Sequence, residues 1–167
     1  TKYHVFLGKS GHNTILFKRK SGQNSCNYMI DRCLDSLIKN HYENSRNALL
    51  LSGARQVGKS YAIRKYGKAN YSCFVEINFI EQPEAIRIFQ NATSSSDLLL
   101  RLSTFVQQTL VKGETLIFFD EVQEFPEITT ALKFFQIDGS YDVICSGSLL
   151  GVHYSRIESH SVGYKQD

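Results

Sequence analysis

Eight consecutive residues carry the clearest chemistry in this chain: Gly53-Ala54-Arg55-Gln56-Val57-Gly58-Lys59-Ser60. They fit the spacing G-x-x-x-x-G-K-[ST], a phosphate-binding loop. The glycines let backbone N–H groups turn inward around phosphate oxygens, and a helix opening at the end of the loop adds its positive dipole end. Lys59 is placed to reach the β- and γ-phosphates and Ser60 to ligate Mg²⁺ through its hydroxyl. Tyr61, in the first helical turn, completes the binding run. The implied ligand is a nucleoside triphosphate. The tripeptide Gly8-Lys9-Ser10 is a decoy, because Tyr3 stands where the first glycine belongs and no helix follows.

A second group complements the first. Leu116-Ile117-Phe118-Phe119-Asp120-Glu121 is an apolar run ending in two carboxylates, the pattern of a Walker B strand. Asp120 supplies the oxygen chemistry that Mg²⁺ requires. Glu121 is placed to polarise an attacking water as general base. Two more polar residues close apolar runs, Asn78 and Ser146. Ligands of open α/β sheets bind at the carboxyl ends of strands. Asn78 is therefore a candidate to restrain Glu121, and Ser146 to contact the γ-phosphate or the water.

These residues need strands and helices to position them. Tyr3–Leu7 and Thr14–Phe17 read as a hairpin around a Gly- and Asn-containing link, and Ser21–Asn27 as a linker. Tyr28–Tyr42 has helical spacing, with Met29, Ile30, Cys33, Leu34, Leu37 and Ile38 on one face. Ala48–Leu51 predicts a strand and Ser60–Tyr66 a helix. A strand over Cys73–Phe79 and a short helix over Pro83–Phe89 follow, then a polar loop from Asn91 to Ser96. The next helix is expected over Asp97–Val111, capped by Asp97 and ended by Lys112-Gly113. Thr115–Phe119 and Tyr141–Cys145 read as doubly covered parallel strands, separated by a helix over Ile128–Gln136 that Gly139 breaks. Strands alternating with helices predict an α/β domain with a parallel sheet.

The 167 residues are 42% apolar and 21% charged, an ordinary composition for one globular unit. No apolar stretch approaches a membrane span or a signal peptide, and Cys26, Cys33, Cys73 and Cys145 lack metal-ligand spacing. A reducing, cytoplasmic location is expected. Five of the 19 basic side chains, and none of the 16 acidic ones, fall within residues 1–30. That arm suits a solvated extension, or contact with nucleic acid or an acidic partner. The expected organisation is a basic extension over residues 1–26 and a P-loop core over 27–167.

Beyond the loop, three further segments support a resemblance: Phe119-Asp120-Glu121-Val122-Gln123, Ala131-Leu132-Lys133-Phe134-Phe135 and Ser146-Gly147-Ser148-Leu149-Leu150-Gly151. Over about residues 28 to 163 the chain resembles bacterial and archaeal AAA-type ATP-binding proteins that carry an uncharacterised C-terminal domain. The resemblance implies ATP and Mg²⁺ as ligands and a three-layer sandwich, with a mainly parallel sheet. It puts Ser146 at the sensor-1 position and Asn78 at the position that restrains the catalytic glutamate. It also implies that a fifth core strand, the lid with sensor 2 and the C-terminal domain are missing from these residues, and it leaves a homo-oligomer (rings or dimers) open. Ser161 stands where the family usually has Pro, and Tyr164 where it has a basic residue. Without a fifth strand, the phosphate-loop strand is expected at an exposed sheet edge unless the N-terminal hairpin covers it.

Three activities fit these features: a Mg²⁺-dependent ATPase, a nucleotide-binding switch with negligible hydrolysis, and a small-molecule phosphotransferase. The adjacent Asp120-Glu121 pair favours water activation. No acceptor pocket or basic lid marks a phosphotransferase. No arginine finger is assignable: Arg55 lies inside the loop and Arg156 near the end of the resemblance.

Overall fold

Strand β5 (Thr115–Asp120) is buried along its whole length, as its unbroken apolar run demands. Leu116 and Phe118 face one layer, while Ile117 and Phe119 face the other. The computed structural model describes residues 4–7, 13–17, 26–45, 47–53, 56, 58–90 and 92–148, with backbone alone for 4–7, 13–17, 26–33 and 148. Several expectations lie outside the described residues: those on Ala54, Arg55, Val57, the link 8–12, Asn91 and everything from 149 to 167.

In chain order, the elements before β5 are β1 (His4–Leu7), β2 (Asn13–Phe17), α1 (Cys26–Asn44), β3 (Leu49–Gly53), α2 (Lys59–Asn70), β4 (Cys73–Asn78), α3 (Ile86–Phe89) and α4 (Ser95–Val106). After β5 come α5 (Ile128–Asp138) and β6 (Asp142–Ser148). A 3-10 turn precedes α3 at Pro83–Ala85, and another follows β5 at Val122–Glu124. The sheet order is β1-β2-β3-β6-β5-β4. Strands β3, β6, β5 and β4 form an all-parallel core. Helices α1 and α2 cover one face through Leu34, Ile38, Ala62 and Ile63. The opposite face is covered by α3, α4 and α5, through Phe89, Leu98, Leu102, Leu132 and Phe135 among others. This is the expected three-layer α/β sandwich, an AAA-like P-loop fold.

Outside the core, β2 runs parallel to β3, from Asn13 opposite Leu49 to Phe17 opposite Gly53. Strand β1 returns antiparallel on its far side. The exposed edge anticipated for β3 is therefore occupied by the hairpin. Its backbone groups are paired by the same chain.

Several boundaries differ from expectation. Helix α1 takes in Cys26 and Asn27, which were expected in the linker, and α2 and α5 run on past Tyr66 and Gln136 to Asn70 and Asp138. Helix α4 is capped by Ser94, whose hydroxyl accepts from Asp97 N at 3.1 Å. Asp97 sits one turn inside and accepts from Thr93 N at 3.1 Å, so the two residues share the helix start as a capping pair. The helix ends at Val106 because Gln107 turns left-handed (φ 52°), well before Lys112-Gly113. Strand β6 runs on through Ser146 to Ser148, since it pairs with β3 as far as Gly53. Ser146 thus lies within a strand.

Candidate functional site

The phosphate loop joins β3 to α2. Gly53 ends the strand, and Gly58 takes φ +89°, a conformation that glycine adopts without strain. Helix α2 starts at Lys59 with no side-chain cap, so its first-turn N–H groups face the loop unclaimed by a capping side chain. Lys59 Nζ donates to Gly53 O at 3.2 Å, which folds the ammonium back across the loop. Burial lowers the Lys59 pKa, while the nearby Glu121 and, less strongly, Asp120 favour its charged form. Gln56 is exposed with φ 60°. Tyr61, in the first turn of α2, is 65% exposed.

Asp120 occupies the end of β5, only 3% exposed. A carboxylate so removed from water must be satisfied by donors, and three serve it. Ser60 Oγ donates to Oδ2 at 2.7 Å, Glu121 N donates to Oδ1 at 3.0 Å, and the buried Ser146 hydroxyl donates to Oδ1. Residues from α2, β5 and β6, far apart in sequence, thus meet at one carboxylate. The neighbourhood of β6 to both β3 and β5 makes this possible. The hydroxyl and carboxylate oxygens of Ser60 and Asp120 are hard donors of the kind that Mg²⁺ takes alongside phosphate and water.

Glu121 follows in a left-handed conformation (φ 56°, ψ 44°) that heads the Val122–Glu124 turn. Its Oε2 accepts from Gln123 Nε2. Asn78, expected to restrain this glutamate, is engaged elsewhere. Its Oδ1 accepts from Ile80 N at 2.9 Å and Glu81 N at 3.2 Å, which shapes its own loop. The structure thus gathers Gly53, Gly58, Lys59, Ser60, Asp120, Glu121 and Ser146 at one end of the sheet, and leaves Asn78 beside them without a bond to Glu121. Gln123, which bonds to Glu121, is not among the site residues expected from the sequence; its signal is its place two residues past Glu121 in Asp-Glu-x-Gln.

Arg64, one turn beyond Ser60 on α2, is held by Glu76 of β4 through Nε at 2.9 Å and Nη2 at 2.7 Å. That pair lies on the edge strand, where alternate residues remain half-exposed. A separate groove of about 450 Å³ opens on the α3–α5 face, lined by Ile86, Phe89, Phe125 and Phe134 among others. None of the phosphate-site residues lines it.

The strand–loop–helix unit, its sheet neighbours and the Asp120 carboxylate define a P-loop module of α/β type. Residues 45–167 match the AAA domain, and the chain belongs to that family. It is accordingly a nucleotide-binding, ATPase-like module. Comparison with curated proteins gives no match. Among the described residues, no helix is long and apolar enough to cross a membrane.

Proposed function

We propose that the chain binds ATP with Mg²⁺ and hydrolyses it. The observation that carries this reading is the hydrogen bond between Ser60 Oγ and Asp120 Oδ2. It joins the loop's hydroxyl to the strand's carboxylate, the pair that in P-loop NTPases holds the cation of a bound triphosphate. Ser60 and Asp120 would hold Mg²⁺, which when bound neutralises charge on the β- and γ-phosphates. Lys59 exchanges its bond to Gly53 O for phosphate oxygens, and the uncapped amides of α2 bind the same anion. Glu121 takes a proton from the attacking water. Ser146 keeps Asp120 oriented through its hydroxyl.

One observation favours a slower, switch-like variant of this reading. Arg64 feels the field of Asp120 but is tied to Glu76 in a forked pair. Where an activating arginine operates, it is worth about 10³ to 10⁵ in rate. Turnover by this chain alone is accordingly expected to be low and to rise if a partner supplies such a group.

The test is calorimetric titration with Mg-ATP followed by a phosphate-release assay. Lys59→Ala is expected to lose binding. Glu121→Gln is expected to keep binding and lose turnover. Undiminished turnover in Glu121→Gln would remove Glu121 as the base.

A further inference from the structure

We propose that Gln123 is the positioning residue of the general base, its side-chain amide fixing the Glu121 carboxylate in the phosphate site. The inference rests on the reading of Glu121 as that base.

The turn that carries both residues is fastened from beneath. Val122 and Phe125 flank Gln123 in sequence and are buried at 4% and 5% exposure. Phe125 packs against Phe79 and Phe89, with ring centres 5.4 and 5.7 Å apart. Backbone bonds from Glu124 N to Glu121 O at 3.0 Å and from Phe125 N to Val122 O at 3.1 Å close the turn. Between these anchors the half-buried Gln123 side chain reaches back to Glu121 Oε2, while Glu124 Oε1 lies 3.5 Å from the same amide nitrogen. The left-handed backbone of Glu121 sets the direction of its side chain, and the amide fixes its end. Glu121 favours the charged form of Lys59 more strongly than Asp120 does.

An amide suits this task chemically. It donates without carrying charge, so it orients a carboxylate without neutralising it as lysine or arginine would. Binding Oε2 leaves Oε1 to accept from a water. Asn78 does not supply such a bond, because its Oδ1 closes the Ile80–Glu81 loop and its side chain makes none to Glu121. A base held by a donor from its own turn keeps its place whatever β4 does.

The experiment compares wild type, Gln123→Ala and the near-isosteric Gln123→Glu for Mg-ATP affinity, steady-state turnover and melting temperature. Glu121→Asp is added alone and combined with Gln123→Ala. Both Gln123 variants are expected to bind ATP within about twofold of wild type, melt normally, and lose about ten- to a hundredfold in kcat. Gln123→Glu, which keeps the shape and replaces the donor by an acceptor, should be at least as slow as Gln123→Ala. In the Glu121→Asp background the carboxylate is already withdrawn from the amide, so Gln123→Ala should cost little more. Unchanged kcat in both Gln123 variants overturns the inference and leaves the ATPase reading standing. So does a loss that adds in full to that of Glu121→Asp, or one that appears only in affinity and melting. Wild-type chain that binds Mg-ATP without turning it over overturns the base reading and this role together.

Discussion

At the residue scale the site depends on how few groups hold charge out of water. Lys59 is the main example. Burial lowers its pKa, against the opposing pull of Glu121 and Asp120, so the free site gives up the ammonium proton at lower pH than an exposed lysine does. Bound phosphate favours the ammonium and raises that value again. Between the two values ATP binding must take up a proton, and affinity must fall as pH rises through the free-site value. Titrations in two buffers of different ionisation enthalpy should diverge between the free-site and bound-site values and agree well below both. Identical heats throughout would mean that Lys59 does not meet the phosphate. The same shift makes the unliganded fold gain stability as pH rises across the window up to the unfolded lysine value, because the unfolded chain there binds more protons. The candidacy of Lys59, Ser60, Asp120 and Glu121 was legible in the sequence because each belongs to a contiguous motif. The bond from Ser146 to Asp120 was not, since 26 residues separate the two and only the sheet brings them together.

Elements place these residues through close approach as much as through pattern. Helix α2 lies against the sheet near Gly67, where a Cβ would collide with the Phe74 ring and come within 3.1 Å of a Leu116 methyl. Phe74 is itself stacked on Phe118, ring centres 6.4 Å apart. Glycine in a helix costs about 1 kcal/mol relative to alanine, so Gly67→Ala would stabilise an isolated helix. In this fold the overlap should win and lower stability by about 1–3 kcal/mol, read as a lower denaturation midpoint. A raised midpoint would show that Phe74 moves aside freely. The helix displaced would be the one that carries Lys59 and Ser60, so ATP affinity should weaken as well. Sequence periodicity found α2 but not this approach. Likewise it found α4 but misjudged both ends: Ser94 and Asp97 are both good capping residues and only the backbone decides which one caps, and the left-handed turn at Gln107 stops the helix before Lys112-Gly113.

For the whole molecule, the decisive feature is what lies beside β3. The phosphate loop hangs from this strand, and β2 pairs with it along all five residues, Leu49–Gly53. With β1 outside, the hairpin removes a parallel edge that would otherwise offer unpaired N–H and C=O groups to other chains. Deleting residues 1–17 should therefore cause self-association, visible by light scattering, together with a lower melting temperature. A monomeric deletion variant with unchanged melting would mean that β3 needs no outer neighbour. The buried thiol of Cys145, its pKa raised by burial to about 12, sits in β6 between β3 and β5 and reports on the same sheet. It should resist alkylation in the folded chain and react once the deletion loosens β3.

The sequence by itself determined the phosphate loop, the Asp120-Glu121 pair, the alternation of strands and helices and the parallel character of the core. All of these are written in contiguous residues, through turn chemistry, apolar runs and helical period. Tertiary structure alone decided that β6 inserts between β3 and β5, which puts the Ser60 and Ser146 hydroxyls on one buried carboxylate. It also decided that β2 covers the phosphate-loop strand, and that Gln123 rather than Asn78 engages Glu121. The physical reason is common to all three. Strand order and side-chain partnership follow from which distant surfaces bury each other and which donors are already spent, and neither is encoded within a local window.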